Sequence, residues 1–287
     1  MTSLFPPALP LFLASTLALA GQGITFGPVR AQPGESIRLI SQSTSDGGTV
    51  EMTRDSRTVR GTLRMSRERD LSWTFRDPAP DGSRRGMVSV ARIASSTTMK
   101  LDGREEKSED ASPLNGKMFA MTKAPAGDWK FELDGSVPLR RIRKEIEELT
   151  VYLKRQWYPQ RMVKVGDSWE FDPAWIRMII EKDLHKAQTI GTMKLRQVRR
   201  SVGKDVAVID VSVRSTGADF QADGSEAKAQ VELSGQIMVD LRTMLDESLE
   251  LKGTVVSSSG KIGDSKKVTL PVHLVVKKSF VRDFGNP

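Results

Sequence analysis

The chain has 287 residues, 28% charged and 38% hydrophobic, with 44 Lys+Arg against 36 Asp+Glu and a formal net charge of +8. It contains no cysteine, which excludes disulfides, cysteine zinc sites, thiol nucleophiles and lipidation on cysteine; its 2 histidines argue against a zinc site built on imidazole. The balance of apolar and charged residues is that of a folded globular chain, neither disordered nor a membrane bundle.

In chain order, the first segment is apolar. Met1 to Ala20 carries no charged side chain, and Ala8 to Ala20 ends in Ala18-Leu19-Ala20, a small-x-small pattern. That reads as a signal peptide cleaved after Ala20, although the usual basic residue near the start is missing. Pro6, Pro7 and Pro10 interrupt the run, which is too short for a comfortable membrane span. The expectation is therefore an exported protein, periplasmic or extracellular, whose mature chain starts at Gly21 and has no transmembrane segment.

Strands are predicted next at 36–44 and 48–56, with Asp46-Gly47-Gly48 as the turn between them. Val59, Leu63 and Met65 then alternate with polar residues, and a further strand is predicted at 86–100. Asp81-Gly82 and Asp102-Gly103 are turn signals. Pro138 to Trp157 changes period: Leu139, Ile142, Ile146, Leu149, Leu153 and Trp157 recur every three or four residues, predicting an amphipathic helix that Pro159 closes. A shorter helix is predicted from Asp172, with Pro173 at its first position, to about Leu184.

Strands return at 189–200 and 205–214. Asp223-Gly224 and Gly263-Asp264 read as turns. Over Glu226 to Leu241 the odd positions Ala227, Ala229, Val231, Leu233, Ile237 and Val239 are apolar and the even ones are mostly polar, which predicts one buried and one wet face. Leu249, Leu251, Gly253 and Val255 keep that phase, and Val268 to Val276 repeats the alternation.

The predicted fold is mainly β (α+β): a large curved antiparallel sheet or half-barrel, with one long and one short helix packed on its concave face. Residues 21–287 read as a single β-rich domain. Pro33-Gly34-Glu35-Ser36 echoes Val165-Gly166-Asp167-Ser168, which raises two related halves, about 33–135 and 160–280, joined by the helix at 138–157.

The segment Trp157 to Trp169 contains Pro159 and then Val163-Lys164-Val165-Gly166-Asp167-Ser168-Trp169. It resembles the P…VKVGDSW signature of a family of exported bacterial proteins of unknown function. Asp240-Leu241-Arg242-Thr243 and Leu249 to Gly253 resemble the strand pair that ends that family's second half. The resemblance implies a curved half-barrel like that of periplasmic lipoprotein carriers, and it brings no catalytic residue with it. Read physically, Gly166-Asp167 makes a tight turn in which Asp167 accepts from backbone amides, and Trp169 and Phe171 anchor the next strand in the core.

No nucleophile elbow, metalloprotease motif, phosphate loop or calcium loop is present. His185 is expected at a helix end and His273 on the polar face of its strand. The acid pairs Glu147/Glu148 and Asp246/Glu247 are expected in solvent. No catalytic residue, metal ligand or cofactor is assigned.

The primary expectation is a non-enzymatic exported β-protein binding an apolar or amphipathic ligand, or a partner protein. Its candidate ligand-binding residues are Trp157, Tyr158, Met162, Trp169, Trp175 and Met178, and Met118 and Met121 are further candidates for an adaptable lining. A structural or assembly component of the cell envelope without a small ligand is the alternative, and a hydrolase assembled from distant residues is the third. Basic clusters at Arg140–Lys144 and Lys154–Lys164 are flanked by acids such as Glu145, Glu148 and Asp167. The partners they suggest are lipid or another envelope protein rather than nucleic acid.

Overall fold

The computed structural model describes residues 23–127, 129–132, 157–171, 185–220, 226–261 and 264–282. These contain β1 (Glu35–Arg54), β2 (Arg57–Arg76), β3 (Arg84–Leu101), β4 (Arg104–Ala111), β5 (Met118–Lys123) and β6 (Trp129–Glu132). The second half supplies β7 (Ser168–Glu170), β8 (His185–Ser201), β9 (Lys204–Phe220), β10 (Glu226–Asp240), β11 (Leu245–Lys261) and β12 (Asp264–Arg282). All twelve join one antiparallel sheet in the order β6-β5-β3-β2-β1-β12-β11-β10-β9-β8-β7, and β4 pairs the part of the β3 edge that β5 leaves open. β1 and β12 lie side by side, so strands from the two ends of the described chain meet at the centre of the sheet.

The sheet follows from the alternation in the sequence. In β10 the odd positions from Ala227 to Leu233 are buried and the even ones exposed, and Val213, Val211 and Ile209 on β9 and Leu249, Leu251 and Val255 on β11 continue the same inward face. Two-residue turns join several strands. Asp55-Ser56, Asp102-Gly103 and Val202-Gly203 all have positive φ at both positions, the backbone hand that matches strand twist in a tight hairpin.

The strands run to 20 residues in β1 and β2, and bulges bend them at Ser45/Gly48, Asp70/Leu71 and Met238/Val239. On the inward face Gly235 of β10 and Gly253 of β11 meet the neighbouring strand so closely that a methyl group would strike the carbonyl oxygens of Glu250 and Glu232. Both positions are creases that only glycine fills.

Residues 23–34 form an extended strap. Ile24 pairs with Val163, the Arg30 N–H donates to the Thr243 carbonyl at 2.8 Å, and the Gly34 N–H donates to the Phe75 carbonyl at 2.8 Å. The strap thus runs from the loop on β8 past the β10–β11 turn to β2, six strand steps across the sheet. The strap ends in a turn, in which the Glu35 N–H donates to the Gln32 carbonyl at 3.0 Å.

Two expectations are corrected. Among the described residues there is no helix, so the α+β sheet with helices on its concave face gives way to an all-β sheet. The physical reason is that extended chain supplies cover for the inward face: Phe26 of the strap and Trp157, Tyr158 and Val163 of the loop before β7 are buried in the same core as the strands. The segments 138–157 and 172–184, for which helices are predicted, lie outside the described residues apart from Trp157, which sits in a turn. Secondly, the strands predicted at 36–44 and 48–56 are one strand. Asp46-Gly47 is a bulge within β1 rather than a turn, with Gly47 at φ 78°. The Asp223-Gly224 turn lies outside the described residues, as does Gly263 of Gly263-Asp264.

Candidate functional site

The signature loop is a closed structural unit. Asp167 Oδ2 accepts from the Lys164 N–H at 3.0 Å and from Arg161 Nη1 at 3.4 Å. The Lys164 amide holds this carboxyl below the usual carboxylate range, and the Arg161 guanidinium acts in the same direction. The loop is pinned to β8 by the Gly166 N–H on the Leu195 carbonyl at 2.8 Å and by the Leu195 N–H on the Asp167 carbonyl at 3.0 Å. Trp169 and Phe171 are buried, as the alternation implies, and Trp169 Nε1 donates to the Trp157 carbonyl at 2.9 Å. Phe26 stacks on Tyr158 with centroids 4.7 Å apart and approaches Trp169 at 6.1 Å.

The structure therefore brings Trp157, Tyr158 and Trp169 together, as parts of the packed core. Met162 is separate from them, 60% exposed and lying over Gly23. Trp175 and Met178 lie outside the described residues. Met121 is fully buried, whereas Met118 is 60% exposed. His273 is on the outer face as expected, 3.0 Å from Glu250 Oε1. Lys252 and then His273 hold the Glu250 carboxyl below its ordinary range. His185 opens β8, and the helix expected before it lies outside the described residues. Asp246 is buried and paired with Lys278, against the expectation of a solvated acid, because the β11 register turns it inward beside the inward-facing Lys278.

The inward face has a second region that the sequence reading did not single out. Beyond the core, toward the β1–β2 turn, three strands carry a polar belt. Ser41 and Ser43 of β1 face Arg69 and Arg67 of β2, and Arg67 in turn faces Ser95 of β3. These positions share the phase of the buried Ile37, Leu39, Leu71 and Trp73, and so project to the same side. Ser45 continues the row: it is only 5% exposed, and its Oγ has no hydrogen-bond partner among the described residues.

Past the belt the same face becomes apolar again. Gly48 faces Leu63 and Leu270, Met52 faces Val59, and Leu63 faces Met99. Met65 and Leu101 complete this area. Met52 and Met65 are 38% and 39% exposed, and Leu63, Met99, Leu101 and Leu270 are half-buried. The patch spans about 20 Å along β2 from Met65 to Val59 and about 14 Å across β12, β1, β2 and β3. The signal for it was present in the Val59, Leu63, Met65 alternation. It was obscured on β1, where the bulge flips the phase so that odd positions face inward before Ser45 and even ones after Gly48.

The fold and this face together define an open all-β sheet with a continuous inward surface of core, polar belt and half-exposed apolar patch. No protein-family model matches the chain, and no curated protein matches it. Among solved structures, the chain is similar to lipovitellin, in a structure of its lipid–protein interactions, with a TM-score of 0.40 and 10% identity. That superposition covers 89% of this chain but only 26% of lipovitellin. OccK7 (OpdD) of Pseudomonas aeruginosa gives a TM-score of 0.29 at 7% identity, covering 86% of this chain and 100% of that one. A DUF1329 family protein from Desulfovibrio piger gives 0.15 at 10% identity, covering 86% and 87%. These superpositions are too loose to assign a family or to transfer a function.

Proposed function

We propose that this protein is an exported binding protein that takes an apolar or amphipathic ligand against the inward face of its sheet. The observation that carries the reading is the half-exposed apolar patch of Met52, Leu63, Met65, Met99, Leu101 and Leu270, on the same face as the core and continuous with it through Leu270. An exposed apolar patch rimmed by polar residues is a mark of an interaction site or ligand groove when it is large and contiguous. Methionine side chains, flexible and polarisable, suit a ligand of variable shape. Export rests on the apolar segment ending at Ala20.

The test is amphiphile binding by the purified chain. Met52→Glu together with Met65→Glu should reduce binding of a long-chain amphiphile by at least about tenfold, since each charge must lose water on contact with an apolar tail. The melting temperature should stay within a few degrees, because both positions are exposed. Unchanged binding in the double variant would sink this reading. N-terminal sequencing of the exported protein should give Gly21 as the first residue.

A further inference from the structure

We infer that the strap end of the sheet docks on an anionic lipid surface, with the β8–β9 turn as its leading point. This goes beyond the proposed function, whose apolar patch lies at the opposite end of the strands. The sign of it is Val202, which breaks two rules of its position at once. It is 97% exposed, and it holds φ at 49° in a two-residue turn. A β-branched side chain is a rare and strained occupant of that backbone region. The turns Asp55-Ser56 and Asp102-Gly103, with positive φ at the same two positions, use polar residues and glycine there. Strain held at a residue that also gains no burial is an outlier that points to function.

Met162 and Val165, on the loop before β7, add apolar surface at the same end, 60% and 43% exposed. That loop is pinned at Leu195, from which β8 runs about 20 Å on to its turn. The strap ties these parts together. It meets the loop through Ile24 and Val163 and the β10–β11 turn through Arg30 and Thr243, and the Leu241 N–H of that turn donates to the Asp205 carbonyl at 3.0 Å. The charge of these segments is one-sided. Arg161 pairs with Asp167, and Lys204 with Glu247. That leaves Arg30, Lys164, Arg199, Arg200 and Arg242, all exposed, against one exposed acid, Asp205, which stands opposite Arg200. Asp240 and the Lys278–Asp246 pair are buried. Arg30 and Arg199 donate to the Arg242 carbonyl and the Met238 sulfur, and none of the five cations has a carboxylate partner among the described residues. Aliphatic tips set among cations fit the boundary of an anionic bilayer, where apolar groups pass between headgroups and each nearby cation adds to the attraction. Val202 and the loop before β7 present separate apolar tips, which suit a broad fluid surface better than a single pocket on a protein.

The experiment is flotation of the purified chain with vesicles of phosphatidylcholine alone and of phosphatidylcholine mixed with phosphatidylglycerol. The chain should float with the mixed vesicles only, and raised salt should weaken the association. Val202→Asn should weaken it by about fivefold, the loss of one buried aliphatic side chain. The same variant should melt higher than the parent, because asparagine accepts positive φ. Arg200→Gln with Arg242→Gln should weaken the association by at least about tenfold at an unchanged melting temperature. Met52→Glu with Met65→Glu should leave it intact, which separates this surface from the amphiphile site at the far end of the strands. Absence of association with the mixed vesicles, or equal association with both kinds, overturns the inference. So does a Val202→Asn chain that melts higher and floats as before, since the strain then serves nothing at a membrane. Loss of association in the Met52 and Met65 variant assigns it to the apolar patch, which overturns this inference and leaves the proposed function standing.

Discussion

At the scale of single residues, the most consequential side chains are two that the composition would have placed in water. Lys278 and Asp246 have side-chain exposures of 7% and 10% and form an ion pair within the inward face. Asp240, 3% exposed, is also satisfied locally, accepting from the Arg242 N–H at 2.8 Å. A buried charge is tolerated only while its partner remains, and replacing both by well-packed apolar groups is often neutral. Lys278→Met alone should therefore destabilise the protein by about 3–5 kcal/mol. Lys278→Met with Asp246→Leu should recover most of that loss. Urea midpoints of the two single variants and the double variant close the cycle. Additive losses would show that the pair is not coupled.

At the scale of elements, the strap is where local chemistry fixes global shape. Phe26 is 7% exposed, stacks on Tyr158 and approaches Trp169, which belong to the loop and strand at the far side of the sheet. Removing a packed aromatic ring costs about 3–5 kcal/mol where the site does not collapse. Phe26→Ala should lower the urea midpoint accordingly and shift the tryptophan emission toward that of water-exposed indole, because Trp169 loses its cover. No change in emission would place the strap outside the core.

The strap is also the element that periodicity hides. Residues 23–34 show no alternation, since their contacts run across strand ends instead of along one strand. Most of the sheet was legible for the opposite reason. β10, β11 and the core half of β12 bury one face only, and Ala227 to Val239 spell out that face directly. The bulge at Asp46-Gly47 looks like a turn in sequence because both features need the same residue chemistry, a glycine with positive φ beside a short polar side chain. Of the candidate site, the aromatic residues were legible as a cluster, but their burial assigns them to the core. The polar belt was illegible because Arg67 and Arg69 read as surface charges until the register placed them opposite Ser43 and Ser41.

At the scale of the whole molecule, the net charge of +8 is the excess of cations left over an outer face tiled with cross-strand pairs. Arg38–Asp70 at 2.6 Å, Arg64–Asp46 at 2.8 Å, Arg214–Glu232 at 3.1 Å and Arg60–Glu51 at 3.2 Å are examples, and the Arg92–Glu68 pair joins them. Exposed pairs contribute little individually. Their collective role shows on acidification. Hydrogen bonds from Arg38 hold the Asp70 carboxyl below its ordinary range, those from Lys100 and Lys107 do the same for Glu105, and the Lys164 amide does so for Asp167.

A carboxyl whose folded pKa is depressed contributes stability that is present in full above its unfolded value, near 4. That contribution is lost as the pH falls through the lower folded value. In the same window 44 Lys and Arg and 2 His lose the 36 carboxylates that offset them, so self-repulsion grows as the pairs break. The melting temperature should be nearly level from pH 7 to 5 and should fall steeply between about pH 4 and 2. Added salt at pH 3 should restore part of the loss by screening the repulsion. Thermal scans by circular dichroism at stepped pH and two salt concentrations measure both effects. A melting temperature that stays level to pH 2 would mean that the outer pairs do not set the charge balance of the fold.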